Sequence, residues 1–394
     1  MSADVVSYER ELLVPDERGR AFPAVLRYGP YLFISGSDGE RRVSDEVLDP
    51  ALAENAIEQC RNSYGRIKQR LNRAGYADDC VVWVENFTSG QHWRLERMAL
   101  WPEHFGEENH LRAVSFGVQT RMHGLNMLTT IAMAVDPSVP RTVAVPAPHR
   151  GRASRCTRVG PFTFVIGVRG HVDTYTKAHA PEETPDAFGL QFEYSLNALR
   201  SHLEHDRNTL DNFVRLDCGL RAARFVPDYE DKLRARFGGR IPFASYAIGV
   251  PLGGTCEQEI GGIAVAPGEP KTVVWSSADP TLADSVGAAG LVFVRNLSGM
   301  RDERTHHVRA ELAGDMRAQV RHAIFNLEHL LAEARTSTKR LLRLDVFLRD
   351  IYGADEVLGE LTAVLGDDMP VLTFLGAEPQ HGAEIELTAI AGGA

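Results

Sequence analysis

The stretch that decides the fold is Gly29-Pro30-Tyr31-Leu32-Phe33-Ile34-Ser35-Gly36, a turn followed by an apolar run typical of a β-strand. Two further segments of the 394-residue chain are similar, and the three align on Phe33, Phe164 and Phe293. Amphipathic helices follow, opening at Gln59, Gln191 and Gln319. A later strand carries an acidic residue each time, at Glu85, Asp217 and Asp345. Both series are spaced by 132 and then 128 residues, which predicts a threefold tandem repeat.

Each repeat then continues with a second helix and ends in an extended stretch, and Pro-rich linkers separate the repeats. We predict three domains, over residues 1–140, 141–268 and 269–394. The predicted order in each is strand, strand, helix, strand, helix, strand, strand. Two helices cover one face of such a sheet, so the other face must be buried against its copies. The predicted fold class is α+β, with three mixed sheets packed as a pseudo-trimeric barrel that has three inter-domain clefts.

The composition restricts the classes of function. The formal charge of −10 offers no positive field for a phosphate backbone, so we expect no nucleic-acid partner. No apolar run reaches the roughly 18 residues that span a bilayer, and the N-terminus lacks the pattern of a secretory signal. The five cysteines are widely spread and form no CxxC pair, which indicates reduced thiols rather than disulfides or a zinc site. We therefore expect a cytoplasmic protein without a membrane partner.

The repeats resemble the Rid family, the reactive intermediate deaminases, also called YjgF-like. The resemblance is carried by the strand Leu32–Gly36, the glutamine-led helices and a late arginine followed by a final Ile-Ala strand. It implies a chorismate-mutase-like fold, sites between units, and hydrolysis of 2-imino acids to 2-keto acids and ammonia. It also implies that no metal or organic cofactor is needed. Family members are usually separate chains that form a trimer, so here we expect a monomeric pseudo-trimer or a homodimer of it.

The resemblance places the family's carboxylate-binding arginine at Arg112, with Ala244 and Val371 at the same position in the other repeats. The family's glutamate, 15 residues later, falls on Met127, Glu259 and Glu386. No repeat retains both residues. Either one composite cleft uses Arg112 with a carboxylate from a neighbouring repeat, or the site has been rebuilt for another reaction.

The family's serine-glycine pair is Ser35-Gly36, and its early tyrosine falls near Phe22, which lacks the hydroxyl. A backbone N–H near Gly36 could donate a hydrogen bond to developing negative charge, whereas Ser35 alone is typical of a strand end. Trp93 lies in a segment rich in aromatic and histidine residues. It either stacks on a planar substrate or lies on the solvated face of a helix.

Together these residues predict an enzyme that acts on a small, reactive, anionic or aromatic intermediate, in a specialised-metabolite pathway. Glu259 and Glu386 are its candidate catalytic residues, because a carboxylate can position or deprotonate water. The candidate substrate-binding residues are Arg112, Ser35, Gly36, Phe22 and Trp93. Arg112 could instead be a surface arginine, and the glutamates could be structural partners of arginines.

The reaction itself stays open between imine hydrolysis, proton transfer and cyclisation. The alternative is a non-catalytic, ligand-binding or chaperone-like relative. The chorismatases are another offshoot of this fold, but no motif in the sequence anchors that comparison. The lysines do not follow the repeat, which excludes the serine-lysine pairs of the cyanuric acid hydrolase group.

Overall fold

The computed structural model describes residues 8–16, 22–43, 49–52, 55–89, 100–106, 114–119, 128–146, 154–180, 187–252 and 256–393. Among these residues, no helix is long and apolar enough to cross a membrane. The description below refers to the three repeats as units 1, 2 and 3, in chain order.

Each unit forms one six-stranded mixed sheet. The strands of unit 1 are β1 (Arg10–Pro15), β2 (Pro23–Tyr28), β3 (Tyr31–Asp38), β4 (Val81–Thr88), β5 (Val114–Gln119) and β6 (Leu128–Val135). Those of unit 2 are β7 (Arg141–Val145), β8 (Cys156–Val159), β9 (Phe162–Val168), β10 (Phe213–Leu220), β11 (Ala244–Gly249) and β12 (Gln258–Val265). Those of unit 3 are β13 (Lys271–Trp275), β14 (Ala283–Ala288), β15 (Leu291–Ser298), β16 (Leu341–Leu348), β17 (Val371–Gly376) and β18 (Ile385–Gly392).

The strand order is the same in the three sheets: first, second, third, sixth, fourth, fifth. Only the fifth strand runs parallel to its neighbour, the fourth. The predicted order lacked one element, because every unit begins with an additional edge strand. The fourth and sixth strands are buried along their whole length, as expected for strands that are covered on both faces.

Two helices cover the outer face of each sheet. They are α1 (Ala56–Arg73) and α2 (Trp101–Phe105), α3 (Ala187–His205) and α4 (Val226–Arg236), and α5 (Met316–Glu333) and α6 (Ala354–Leu365). The helix α1 begins after Asn55, whose side chain accepts a hydrogen bond from the Glu58 N–H. The predicted glutamine is the fourth residue of the helix rather than the first. Gln59 donates to the Leu52 carbonyl at 3.0 Å, which ties the helix to the turn before it.

The inner faces of the three sheets share one apolar core. The ring of Phe162 in unit 2 contacts Tyr31 of unit 1 and Phe293 of unit 3, with both centroid distances 5.8 Å. The α+β class and the three mixed sheets are therefore confirmed. The closed barrel is not: the described residues form three separate sheets. The physical reason is that each fifth strand packs on the inner face of the next sheet, where the strands it meets already have hydrogen-bonded neighbours on both sides.

The units follow one another around a ring. The strand β5 lies against β9, β11 against β15, and β17 against β3. A basic residue that opens each first strand also donates hydrogen bonds to backbone carbonyls of the preceding unit. These contacts join Lys271 to Phe213 and Pro242, Arg10 to Leu341, and Arg141 to Asp79. The contact of Arg10 joins units 1 and 3, so it closes the ring where no linker does.

Buried charges from the three fourth strands meet at the centre of the ring. The carboxylates are Glu85, Asp217 and Asp345, and the residues two positions before them are Trp83, Arg215 and Arg343. Arg343 donates to both oxygens of Asp345 at 2.9 Å and also to Glu85 of unit 1. Arg215 donates to Asp217 at 2.6 Å. Three carboxylates thus face two guanidinium groups, since Trp83 stands where a third arginine would.

This imbalance affects Asp217. Burial raises the pKa of its carboxyl from 3.8 to about 7, and the charge of Glu85 adds to the increase while Arg215 and Arg343 oppose it. Tyr246 and Asp345 complete the surroundings of the cluster. One carboxyl group at the centre of the ring therefore holds a proton over part of the neutral range.

The stability of the variant Asp217→Asn relative to the wild type should be greater at high pH than at low pH. A raised folded pKa gives stability that is lost as the pH rises from about 4 to about 7, and asparagine cannot ionise. The melting temperature of the variant relative to the wild type should increase by on the order of 2 °C from pH 5 to pH 8. Asp345→Asn is the control. It should have a lower melting temperature than the wild type at both pH values, because Arg343 loses a bidentate partner. An Asp217→Asn difference that does not change with pH would contradict the assignment.

Candidate functional site

The ring creates three inter-unit contacts, which we call seams. In each seam, the fifth strand of one unit lies against the third strand of the next. The strands β11 and β17 also contact the second strand of the next unit, whereas β5 also contacts the sixth. The 1–2 seam contains β5 and unit 2, the 2–3 seam contains β11 and unit 3, and the 3–1 seam contains β17 and unit 1. The candidate residues from the sequence are therefore divided among three places.

The strand ladders revise two equivalences of the sequence analysis. Because Glu85 lies opposite Phe116 and Asp217 opposite Tyr246, the position equivalent to Ala244 is Val114 rather than Arg112. By the same register, Thr129 rather than Met127 is equivalent to Glu259 and Glu386. The shift arises because unit 1 has two more residues than unit 2 between its fourth and fifth strands. Arg112, Met127 and Trp93 lie outside the described residues, so their roles stay predictions.

The 3–1 seam contains three of the predicted substrate-binding residues, and their contacts are internal. The Ser35 hydroxyl donates to the Pro23 carbonyl at 2.6 Å and accepts from the Leu372 N–H of unit 3 at 3.1 Å. A Cβ atom on Gly36 would lie 3.0 Å from the side chain of Thr373, so glycine allows the two strands to approach. Phe22 is buried in the core of unit 3. The substrate-binding role of these residues remains a prediction.

The 1–2 seam contains Glu259, at the start of β12. Its carboxylate accepts a hydrogen bond from Nε of Arg169 at 2.5 Å, and only 7% of the residue is exposed. The two residues form a largely buried ion pair within unit 2. This arrangement directs the Glu259 side chain to an arginine of its own unit.

The 2–3 seam contains Glu386, which is 1% exposed. Its partners are neutral amides: Asn296 donates to Oε1 at 2.5 Å and the Gln380 side chain donates to the same atom at 2.9 Å. The Gln380 backbone N–H donates to Oε2 at 3.3 Å. Burial raises the pKa of Glu386 to about 7, against the effect of these bonds and of the Arg301 charge. Glu386 can therefore give and accept a proton near neutral pH, as a general acid–base residue must.

Arg301 does not neutralise Glu386, because its guanidinium is directed at another carboxylate. It contacts Glu303 at 3.1 Å, and Glu303 also receives a bond from the buried Arg295. Within the described residues of this seam, Glu386 is thus a carboxyl group without a directly bonded cation.

A cavity of about 20 Å³ lies between α4, β11 and β15, and one of its lining residues is Asn296, the hydrogen-bond partner of Glu386. It has room for about one water molecule. Its polar lining includes Asn296 and the hydrogen-bonded pair of Tyr229 and Ser245, whose oxygens are 3.0 Å apart. Asn296 borders both the cavity and Glu386, so a ligand that widened the cavity would approach the carboxyl group. No group of three or more metal-ligating side chains occurs in the part of the chain that the structure describes.

The sequence analysis named Glu386 but missed the residues that set its chemistry. Asn296 is the repeat equivalent of Gly36 when Phe33 and Phe293 are aligned, which was a usable signal. Gln380 lies in a turn before β18 and carries no motif, so only the folded chain brings it to Glu386.

No known protein family matches the sequence, and no curated protein matches it. A solved structure described as a chorismatase aligns with 80% of this chain and 94% of its own, at 14% identity and a TM-score of 0.52. A Rid-family protein of unknown function from Yersinia pestis aligns with 31% of this chain and 99% of its own, at 19% identity and a TM-score of 0.28. A YjgF-family member from Mycobacterium tuberculosis aligns with 31% of this chain and 99% of its own, at 22% identity and a TM-score of 0.26. The chorismatase alignment extends over most of both chains and shows a likeness of fold.

The two equivalent glutamates should respond differently to neutralisation. Glu259→Gln leaves Arg169 without its charged partner and should lower the stability by about 1–3 kcal/mol. Glu386→Gln keeps an oxygen that can accept the hydrogen bonds of Asn296 and Gln380, so it should lower the stability less than Glu259→Gln does. Its melting temperature relative to the wild type should increase between pH 5 and pH 8, because the stability from a raised pKa is lost as pH rises to about 7. Equal losses in both variants at pH 8 would contradict this contrast.

Proposed function

We propose that this chain is a cofactor-independent enzyme that acts on a small reactive intermediate in the 2–3 seam, with Glu386 as the general acid–base residue. The observation that carries the proposal is the environment of Glu386: a fully buried carboxyl group, held by two amides, whose pKa is about 7. Such a pKa makes proton transfer efficient in both directions near neutrality.

The reaction class that this group supports best is hydrolysis of a carbon–nitrogen double bond. Glu386 would protonate the imine nitrogen, and its carboxylate would then accept a proton from the water that attacks the carbon. Glu386 would then return this proton to the nitrogen of the carbinolamine and take the proton of its hydroxyl group as the C–N bond breaks and the carbonyl forms. An imine and water thus give a ketone and ammonia. The Asn296 and Gln380 amides would hold the carboxyl group in place through both transfers. The same proton donor could serve an enamine, a cyclisation or an aromatic carboxylate substrate.

The chorismatase neighbour adds a second substrate to test. Its name indicates action on chorismate, and its alignment extends over all three units of this chain rather than one. A small carboxylated ring would also fit the anionic or aromatic substrate expected from the sequence. Either substrate requires the 2–3 seam to widen, because the cavity holds about one water molecule.

The decisive experiment measures turnover with both substrates. Imino acids are generated in situ by an amino-acid oxidase and their conversion to keto acids is followed, while chorismate consumption is followed by chromatography. We expect acceleration by the wild type with one substrate and a loss of about 10²–10⁴-fold in Glu386→Gln. Since the acid form acts first, kcat/KM should fall as the pH rises above about 7.

The variants Arg112→Ala and Glu259→Gln report on the other possible site. Loss of turnover in these two, with Glu386→Gln active, would move the reaction to the 1–2 seam. An absence of turnover by the wild type with both substrates would favour the ligand-binding alternative. In that case, binding of a 2-keto acid or of chorismate to the wild type should still be measurable by calorimetry.

A further inference from the structure

One position of the strand ladder differs among the three units and lies directly across from the glutamate position. In unit 3, Ser298 is paired with Glu386. In unit 1, Asp38 is paired with Thr129. In unit 2, Val168 is paired with Ile260, which places Arg169 across from Glu259. The repeat thus provides three versions of one cross-strand pair within a single chain.

The three versions have different chemistry. Arg169 donates to Glu259 at 2.5 Å and balances its charge. The Thr129 hydroxyl donates to Asp38 at 3.2 Å, so unit 1 has its carboxylate on the opposite strand. Ser298 is uncharged and 2% exposed, and its hydroxyl accepts from the Met300 N–H at 3.2 Å. Only in unit 3 does the glutamate face a neutral residue across the ladder.

The other charges near Glu386 do not change this conclusion. Arg301 lies on the segment after β15 and binds Glu303 through both Nε and Nη2, at 3.2 and 3.1 Å. The groups that bond Glu386 from β15 and from the turn before β18 are the amides of Asn296 and Gln380. The absence of a cation at position 298 is therefore what separates Glu386 from Glu259.

We infer that the residue across the ladder, Arg169 in unit 2 and Ser298 in unit 3, is a positioning residue that determines which seam keeps a carboxyl group able to exchange protons. By this inference Glu386 is the glutamate that can transfer protons among the described residues of the three seams, and Arg169 has converted the equivalent glutamate of the 1–2 seam into a structural ion pair. The catalytic use of Glu386 rests on the proposed function, but the predicted difference in protonation between Glu386 and Glu259 does not.

The test exchanges the two residues and observes the carboxyl groups directly. Infrared difference spectra over pH 4–9 detect the C=O stretch of a buried protonated carboxyl. Because the buried carboxyl of Asp217 should give a similar band, the spectra are recorded in an Asp217→Asn background. That protein should show a band that is lost near pH 7, and Glu386→Gln should remove it. Ser298→Arg should shift the midpoint of the Glu386 band down by about 1–3 pH units, because a positive charge beside a carboxyl group favours its ionised form. The kcat/KM profile should shift by the same amount, which a purely structural role would not produce.

Ser298 is buried, so the variant Ser298→Arg could fail to fold. In that case the reciprocal variant still tests the inference. Arg169→Ser removes the cation from Glu259 and should produce an additional titrating carboxyl band, which the double variant Arg169→Ser/Glu259→Gln should lack. An Arg169→Ser spectrum without an added band, or a folded Ser298→Arg protein with an unshifted midpoint, would overturn the inference. If both spectra change as expected while the wild type turns over no substrate, the proposed function fails and the assignment of the residues stands.

Discussion

The arrangement of the three units depends on the pairing of buried charges at the centre of the ring. Arg343 binds both Asp345 in its own strand and Glu85 of unit 1, and Arg215 lies 3.6 Å from Asp345 of unit 3. Leaving a buried ion without its partner is strongly destabilising, whereas apolar attraction is non-directional and does not by itself select a register. These few bonds therefore restrict how the inner faces can slide past one another. The surrounding aromatic core supplies the burial, and the charges select one register among the possible packings.

The same pseudo-symmetry explains why the seams differ. A true trimer must repeat every substitution three times, but a tandem chain can change one unit alone. Trp83 stands where the other units have arginine, and Thr129 where they have glutamate. Ser35 and Gly36 are engaged in packing against unit 3, so the 3–1 seam holds the ring together. The 1–2 and 2–3 seams keep a glutamate at the equivalent position, but in opposite electrostatic environments.

Much of the fold was predictable because the repeat is visible in the sequence. The strand Tyr31–Asp38 and its equivalents, the long helices and the acidic strand recur at constant spacing. The opening strands were missed because they are short edge strands: in Arg10–Pro15 only Val14 is buried, so the strand carries no clear alternation of buried and exposed residues. The site was less predictable. A two-residue difference in loop length displaced Arg112 from its presumed equivalents. Of the partners of Glu386, Asn296 lies 90 residues earlier in the chain, and Gln380, six residues earlier, belongs to a turn without a motif.

A second contact between units 1 and 3, made by Tyr28, has a consequence for how the gene could be arranged. The Tyr28 hydroxyl accepts a hydrogen bond from the Tyr8 N–H at 3.3 Å and donates to the Gly393 carbonyl at 3.0 Å, which brings the two ends of the described chain together. Joining these ends with a short peptide and opening the chain in the segment 136–140 would therefore give a circular permutant that traces the same ring. The linear order of the units is thus a property of the coding sequence, and the folded protein specifies only their cyclic order.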